Sequence, residues 1–271
     1  MSSAGDEFTR LVEIMATLRG RDGCPWDREQ TIASLRPYVL EETYELLEAI
    51  DRQDHEALCE ELGDFLFEAV FIAQLESESG FFGIADAVRG VADKLVRRHP
   101  HVFARDTGEA ALDTANQVRV RWEEIKAEER RSRPTGKTLL GGIPVTLPAL
   151  LRASQIGARA TSVGFDWAGA AAVVDKMQEE VDEIREVVSA AGAISRDRVE
   201  EEIGDLLFAV ANLSRKLGIE PESALRKAND KFTERFTTLE RRVEESGRTM
   251  SDMTLEELDA EWRRVKERPA R

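Results

Sequence analysis

Residues 179–183 read Glu179-Glu180-Val181-Asp182-Glu183. Nineteen residues beyond Glu183 the chain continues Glu202-Ile203-Gly204-Asp205-Leu206-Leu207-Phe208-Ala209-Val210-Ala211-Asn212-Leu213. Between Ile203 and Leu213 the only charge is Asp205. A helix that is apolar over most of its circumference is expected to be buried, and a buried carboxylate must be paired or bound to a metal. Glu180/Glu183 and Glu202/Asp205 are i,i+3 pairs, so each projects from one face of its helix. Two such helices side by side bring four carboxylates to one point. An all-oxygen ligand set of this kind suits Mg²⁺ or Mn²⁺ better than zinc.

The same arrangement occurs earlier. Glu42-x-x-Glu45 with Glu61-x-x-Asp64 precedes Glu180-x-x-Glu183 with Glu202-x-x-Asp205, the first glutamates of each set lying 19 and 22 residues apart. Asp64-Phe65-Leu66-Phe67 is answered by Asp205-Leu206-Leu207-Phe208, and Asp93-Lys94-Leu95-x-x-Arg98 by Asp230-Lys231-Phe232-x-x-Arg235. Trp122-x-x-x-Lys126 is answered by Trp262-x-x-x-Lys266. Landmarks repeating in one order mark two homologous domains. The expected division is a first domain over 1–130, a linker over 131–150 and a second domain over 151–271. The join falls at the polar, breaker-containing Glu129-Arg130-Arg131-Ser132-Arg133-Pro134-Thr135-Gly136-Lys137.

The rest of the chain reads as helix. Long stretches rich in Ala, Leu, Glu and Arg, with Gly and Pro sparse, predict an all-α protein. Helices are expected over 6–20, from Tyr38 to about Arg52, over His55–Glu76, from Ile84 to His99-Pro100, and from about Leu112. Asp27 or Thr31 is expected to cap the second helix, and Trp26 to plug the start of the core.

Composition excludes several classes. A net charge of −15 argues against general binding to nucleic-acid backbones. It leaves open a phosphorylated small molecule, because bound cations invert local charge. No apolar run is long enough to span a membrane, the first residues do not resemble a signal peptide, and Cys24 and Cys59 make no disulfide framework. A cytoplasmic protein is expected. Gly136-Lys137-Thr138 is no P-loop, since Arg131 stands where the first glycine is required. Neither half contains the Glu-x-x-His pair of a di-iron bundle.

Lys231 and Arg235, with Lys227 one turn earlier, form either an ion-paired helix face or a grip on the outer phosphates of a metal-chelated polyphosphate. Trp262 is either a packing anchor or a wall of a nucleotide pocket, with Lys266 one turn on. Chemistry of this kind needs a carboxylate to accept a proton from water, and Glu179 and Glu183 are the candidates.

Together these landmarks resemble the MazG family of nucleoside triphosphate pyrophosphohydrolases, in its long two-domain form, from about Phe8 to Lys266. The family pattern Glu-Glu-x-x-Glu, spacer, Glu-x-x-Asp is met by Glu41-Glu42-x-x-Glu45 with Glu61-x-x-Asp64 and by Glu179-Glu180-x-x-Glu183 with Glu202-x-x-Asp205. It is accompanied by Gly23-Cys24-Pro25-Trp26-Asp27, Arg97-Arg98-His99-Pro100-His101-Val102-Phe103, Val163-Gly164-Phe165-Asp166-Trp167 and Lys227-Ala228-Asn229-Asp230-Lys231-Phe232.

The resemblance implies Mg²⁺-dependent hydrolysis of nucleoside triphosphates to monophosphate and pyrophosphate, with a broad base range suited to house-cleaning. It implies bundles built by homodimers and catalysis mainly in the C-terminal domain. Glu180, Glu183, Glu202 and Asp205 would be metal ligands, and Lys176, Glu179, Arg198, Glu201, Lys231, Arg235, Trp262 and Lys266 nucleotide contacts. Glu42, Glu45, Glu61 and Asp64 would form a second metal site. The first copy departs at Ala92, where the second has Asn229, and at His99-Pro100, which breaks the helix just after Arg98. The alternatives are a more selective all-α pyrophosphatase acting on dUTP, dCTP or phosphoribosyl-ATP, and a non-catalytic helical scaffold.

Overall fold

A computed structural model describes residues 3–104, 138–189 and 194–267, together with positions 114, 117, 118, 121, 122, 125, 128 and 129. Lys126, the expected helix start at Leu112 and residues 131–137 of the expected linker lie outside the described residues. The chain divides into two compact units, Met1–Lys126 and Ala127–Arg271. No strand occurs among the described residues.

In the first unit, α1 spans Ala4–Arg19, α2 Pro25–Glu29, α3 Ile32–Arg52, α4 His55–Glu78, α5 Ile84–Arg98 and α6 Pro100–Phe103. The core gathers Met15 of α1, Leu35 of α3 and Val70, Phe71 and Leu75 of α4, with Phe8, Leu11, Tyr38 and Ile84 packed around them. Arg19 Nε donates to Glu78 Oε1 (2.8 Å) and ties the end of α1 to the end of α4.

Two expectations need correcting here. The second helix begins at Ile32 and carries Pro37 inside it, six residues ahead of the expected Tyr38. Thr31 and Ser34 form a reciprocal capping box, and Leu35 is sealed in the core, so the cap and the packing outweigh the bond that Pro37 cannot donate. Trp26 is half exposed and meets Tyr38 edge-on at 5.8 Å. The buried member of that turn is Asp27.

In the second unit, α7 spans Ala149–Thr161, α8 Ala170–Ser189, α9 Arg196–Lys216, α10 Pro221–Glu245 and α11 Leu255–Glu267, with a short 3₁₀ turn at Met250–Asp252. The packing repeats that of the first unit. α9 lies between α7, α8 and α10, as α4 lies between α1, α3 and α5. Both central helices end on a left-handed glycine, Gly80 (φ 77°) and Gly218 (φ 70°). In each, the next amide closes the last turn: Phe81 onto Glu76 (3.0 Å) and Ile219 onto Ser214 (2.8 Å). Only glycine takes that conformation without strain, so the same device stops both helices.

α7 approaches α9 closely at Gly157, where a β-carbon would lie 2.0 Å from Asn212 Oδ1. Asn212 is fully buried. Asp166, just before α8, accepts from Arg215 Nη2 (2.7 Å) and Lys216 Nζ (2.9 Å) at the end of α9. Burial opposes its ionisation, but these cationic donors prevail and hold its carboxyl well below the usual range.

Candidate metal centre

α8 and α9 pack along one another, and that contact builds the C-terminal site. Glu180 and Glu183 are one turn apart on α8, and Glu202 sits in the second turn of α9. One carboxylate oxygen from each lies within 4.8 Å of the other two. Glu180 is only 2% exposed. Its Oε1 pairs with Lys176 Nζ at 2.7 Å, and the same ammonium reaches Glu179 Oε1 at 2.7 Å. The two carboxylates raise the Lys176 pKa further above its usual value. The other oxygen of Glu180, Oε2, is buried without a hydrogen-bond partner among the described residues. Partial desolvation, then the charges of Glu202 and Glu180, push the Glu183 carboxyl upward.

A buried carboxylate oxygen without a donor, at the meeting point of three acidic side chains, fits a hard divalent cation. The orphaned oxygen and the all-oxygen donor set both suit Mg²⁺ or Mn²⁺.

The N-terminal copy is built likewise. Glu42 and Glu45 of α3 and Glu61 of α4 bring oxygens within the same 4.8 Å. Desolvation raises the Glu42 carboxyl, assisted by Asp64, Glu45 and Glu61, and raises Glu61, assisted by Glu45.

The remaining expected site residues are placed as follows. Asp205 lies on α9 outside the close trio, and it is exposed. This corrects the expectation that it is the buried charge of an enclosed helix. Ile203 (44%) and Leu207 (48%) are exposed beside it, because the single chain leaves that apolar side of α9 uncovered. Burial falls instead on Glu180, at the interface with α9. Asp64 is exposed too, and the buried carboxylate of α4 is Glu68.

Arg198 and Glu201 are exposed in the first turns of α9. Lys231 is exposed and Arg235 half-buried on α10. Trp262 is half-buried, its ring 5.2 Å from that of Phe232, and it packs against Leu239, Val243 and Val265. It is therefore at least an anchor between α10 and α11. Lys266 is exposed one turn later.

Three functional features escaped the sequence reading. Lys176 was placed only by resemblance, as a nucleotide contact, yet it neutralises Glu180. The signal was its position four residues earlier on the same face. Glu261, 5% exposed, accepts from Arg248 Nη2 (2.9 Å) and Arg264 Nη1 (2.7 Å) and pairs with Arg242, which clasps α11 to α10. Glu68 lies on the acidic stripe of α4 together with Glu61 and Asp64, but period alone does not tell which member is enclosed.

α5 ends at Arg98, where His99 Nδ1 meets Leu95 O (2.7 Å) and Pro100 follows. α10 continues ten residues beyond the matching Arg235.

Comparison with known proteins now decides the lineage. The MazG nucleotide pyrophosphohydrolase domain matches this chain twice, over residues 30–103 and 168–239, together more than half of it. The chain belongs to the MazG family. Each MazG match takes in one of the two carboxylate trios. The chain is 47% identical over 262 residues to the nucleoside triphosphate pyrophosphohydrolase of Escherichia coli K12, covering 96% of this chain and 97% of that one. It is 44% identical over 266 residues to the nucleoside triphosphate pyrophosphohydrolase/pyrophosphatase MazG of Thermotoga maritima, covering 98% of each. It also resembles YabN of Bacillus subtilis, at 42% identity over 261 residues, 96% of this chain and 52% of that protein.

Proposed function

We infer that this chain hydrolyses nucleoside triphosphates to nucleoside monophosphate and pyrophosphate, with Mg²⁺ or Mn²⁺, and that the C-terminal MazG domain is the principal catalytic one. The observation that carries the metal reading is the orphaned Oε2 of buried Glu180 beside Glu183 and Glu202. The family match and the names of the relatives supply the reaction class.

Glu180, Glu183 and Glu202 would hold the cation, with Asp205 one turn beyond Glu202 available to it. A bound divalent cation offsets the charge of a triphosphate, orients it and acidifies a water. Lys231 and Arg235, one turn apart on α10, stabilise the charge that develops on the departing pyrophosphate. Water breaks the α–β anhydride, and its proton passes to a carboxylate. Glu183, beside the cation and within reach of its water, is one candidate for that role. Glu179 is held by Lys176 and is the second candidate.

The pair Trp262 and Phe232 offers ring faces and no hydrogen-bonding code for a base edge, which favours a broad base range. The exposed apolar residues Ile203 and Leu207 of α9 and Leu62, Phe65 and Leu66 of α4 favour a bundle completed by a second copy. Among the described residues no helix is long and apolar enough to cross a membrane, and a cytoplasmic setting suits a substrate drawn from the nucleotide pool. The longer reach of α10 past Arg235 supports catalysis in the C-terminal copy first.

The test is ³¹P NMR of ATP with Mg²⁺ and the protein, with Glu180→Gln and Glu202→Ala alongside. AMP and pyrophosphate are expected, lost by about a hundredfold or more in each variant, which is at least the effect of removing a metal-supporting group. ADP and phosphate as products, or full activity in either variant, would refute the assignment.

A further inference from the structure

The first copy encloses a charge that has no counterpart in the second. Glu61, Asp64 and Glu68 stand at i, i+3 and i+7 on one stripe of α4. Glu68 is 6% exposed, its Oε2 has no hydrogen-bond partner among the described residues, and the charge acting on it is that of Glu42 on α3. A carboxylate enclosed without a donor is expensive to keep unless a cation compensates it. Alignment on Asp64 and Asp205 puts Ala209 at the position of Glu68 in the second copy.

A second difference acts in the same direction. Four residues before Glu180 stands Lys176, whose ammonium already pairs with it. Four residues before Glu42 stands Tyr38, which carries no charge. The C-terminal trio thus has a cation of its own, whereas the N-terminal trio has an additional anion instead.

We propose that the N-terminal domain retains a divalent cation in the absence of nucleotide, held by Glu42, Glu45 and Glu61 with Glu68 behind them supplying the fourth charge. The C-terminal site, part-neutralised by Lys176, takes its cation together with the phosphates of a nucleotide. The inference rests on the reading of the paired acidic helices as cation sites. It adds that the two sites fill in a fixed order and that an N-terminal side chain outside the family pattern sets that order.

The test uses the full chain, freed of metal with a chelator and titrated with Mn²⁺ without nucleotide, with free Mn²⁺ followed by electron paramagnetic resonance. One equivalent per chain is expected. Glu68→Gln, which keeps the shape and removes the charge, is expected to weaken that binding by about tenfold or more. Glu68→Ala gives the same loss, with circular dichroism confirming that it is folded. Glu180→Gln leaves the nucleotide-free equivalent in place.

Wild-type affinity in Glu68→Gln would overturn the proposal. So would loss of the equivalent in Glu180→Gln but not in Glu68→Gln, or the absence of any Mn²⁺ binding without nucleotide. Pyrophosphate release at saturating Mg²⁺ separates the two claims: its loss in Glu180→Gln upholds the catalytic reading whatever the titration gives.

Discussion

Asp166→Asn tests what holds α8 and α9 in register. Asp166 precedes α8 and accepts from Arg215 (2.7 Å) and Lys216 (2.9 Å) at the far end of α9, while Lys216 also reaches Trp167 O (2.7 Å). All three side chains are largely enclosed, at 14–18% exposure. Asparagine keeps one acceptor oxygen and puts an amide where the second oxygen was, so one cation loses its ionic partner and keeps only a neutral acceptor. A hydrogen bond to a charged group contributes about 1.5–3 kcal/mol, and an enclosed charge left unpaired adds to the loss. With a discount for the residual exposure we expect about 2–3 kcal/mol, or roughly 10 °C in the melting temperature of a domain this size.

The assay is urea unfolding of wild type and variant at neutral pH, repeated down an acid series. Asp166 has a depressed pKa, so the stability it gives is present above the ordinary aspartate value of 3.8 and fades as the pH falls below it. The gap between wild type and variant must therefore narrow in acid. The carboxylate trio lies toward the other end of α8 and α9, so pyrophosphate release well below the melting temperature should be kept. A stability loss under about 0.5 kcal/mol, the range of ordinary surface substitutions, would refute the reasoning.

Two further outcomes follow from the packing and the charges. Gly157→Ala would ordinarily stabilise a helix by about 0.5–1 kcal/mol. Here the new methyl meets the fully buried Asn212, so a net loss of about 1–3 kcal/mol is expected, and a raised melting temperature would contradict the close approach of α7 to α9. Glu42, Glu61, Glu68 and Glu183 all have raised pKa values, chiefly from desolvation. The folded state then binds more protons than the unfolded one, so this group's contribution falls as the pH rises above the ordinary glutamate value of 4.5. Mg²⁺ offsets that repulsion, so the rise in melting temperature it gives should be larger at neutral pH than near pH 5. A rise that is flat or larger in acid would count against the sites.

The repeat and the helix pairs were legible because period and order are properties of the chain itself. Glu180 and Glu183 share a face whatever surrounds them, and the glycines that stop α4 and α9 are explicit in the sequence. Burial was not legible in that way. The apolar run after Ile203 reads as enclosed, yet Ile203 and Leu207 face outward while Glu180, inside the acidic stretch of α8, is buried. Which side of a helix is covered depends on its neighbours, and those neighbours come from distant stretches of chain. The start of α3 at Ile32 was hidden for a related reason: with Pro37 inside the helix, a local rule is overruled by Leu35 in the core and by the Thr31 cap.

The end of α5 has a consequence for how such duplicated proteins diverge. A single proline after Arg98 sets how far one rod extends, and it lies outside α3 and α4, which carry the acidic side chains. Reach toward a substrate and grip on an ion are therefore separately adjustable in this architecture. After duplication, one copy is free to specialise as an ion-holding partner while its twin keeps the longer arm. The two halves can part ways at a helix terminus, with the carboxylates left as they were inherited.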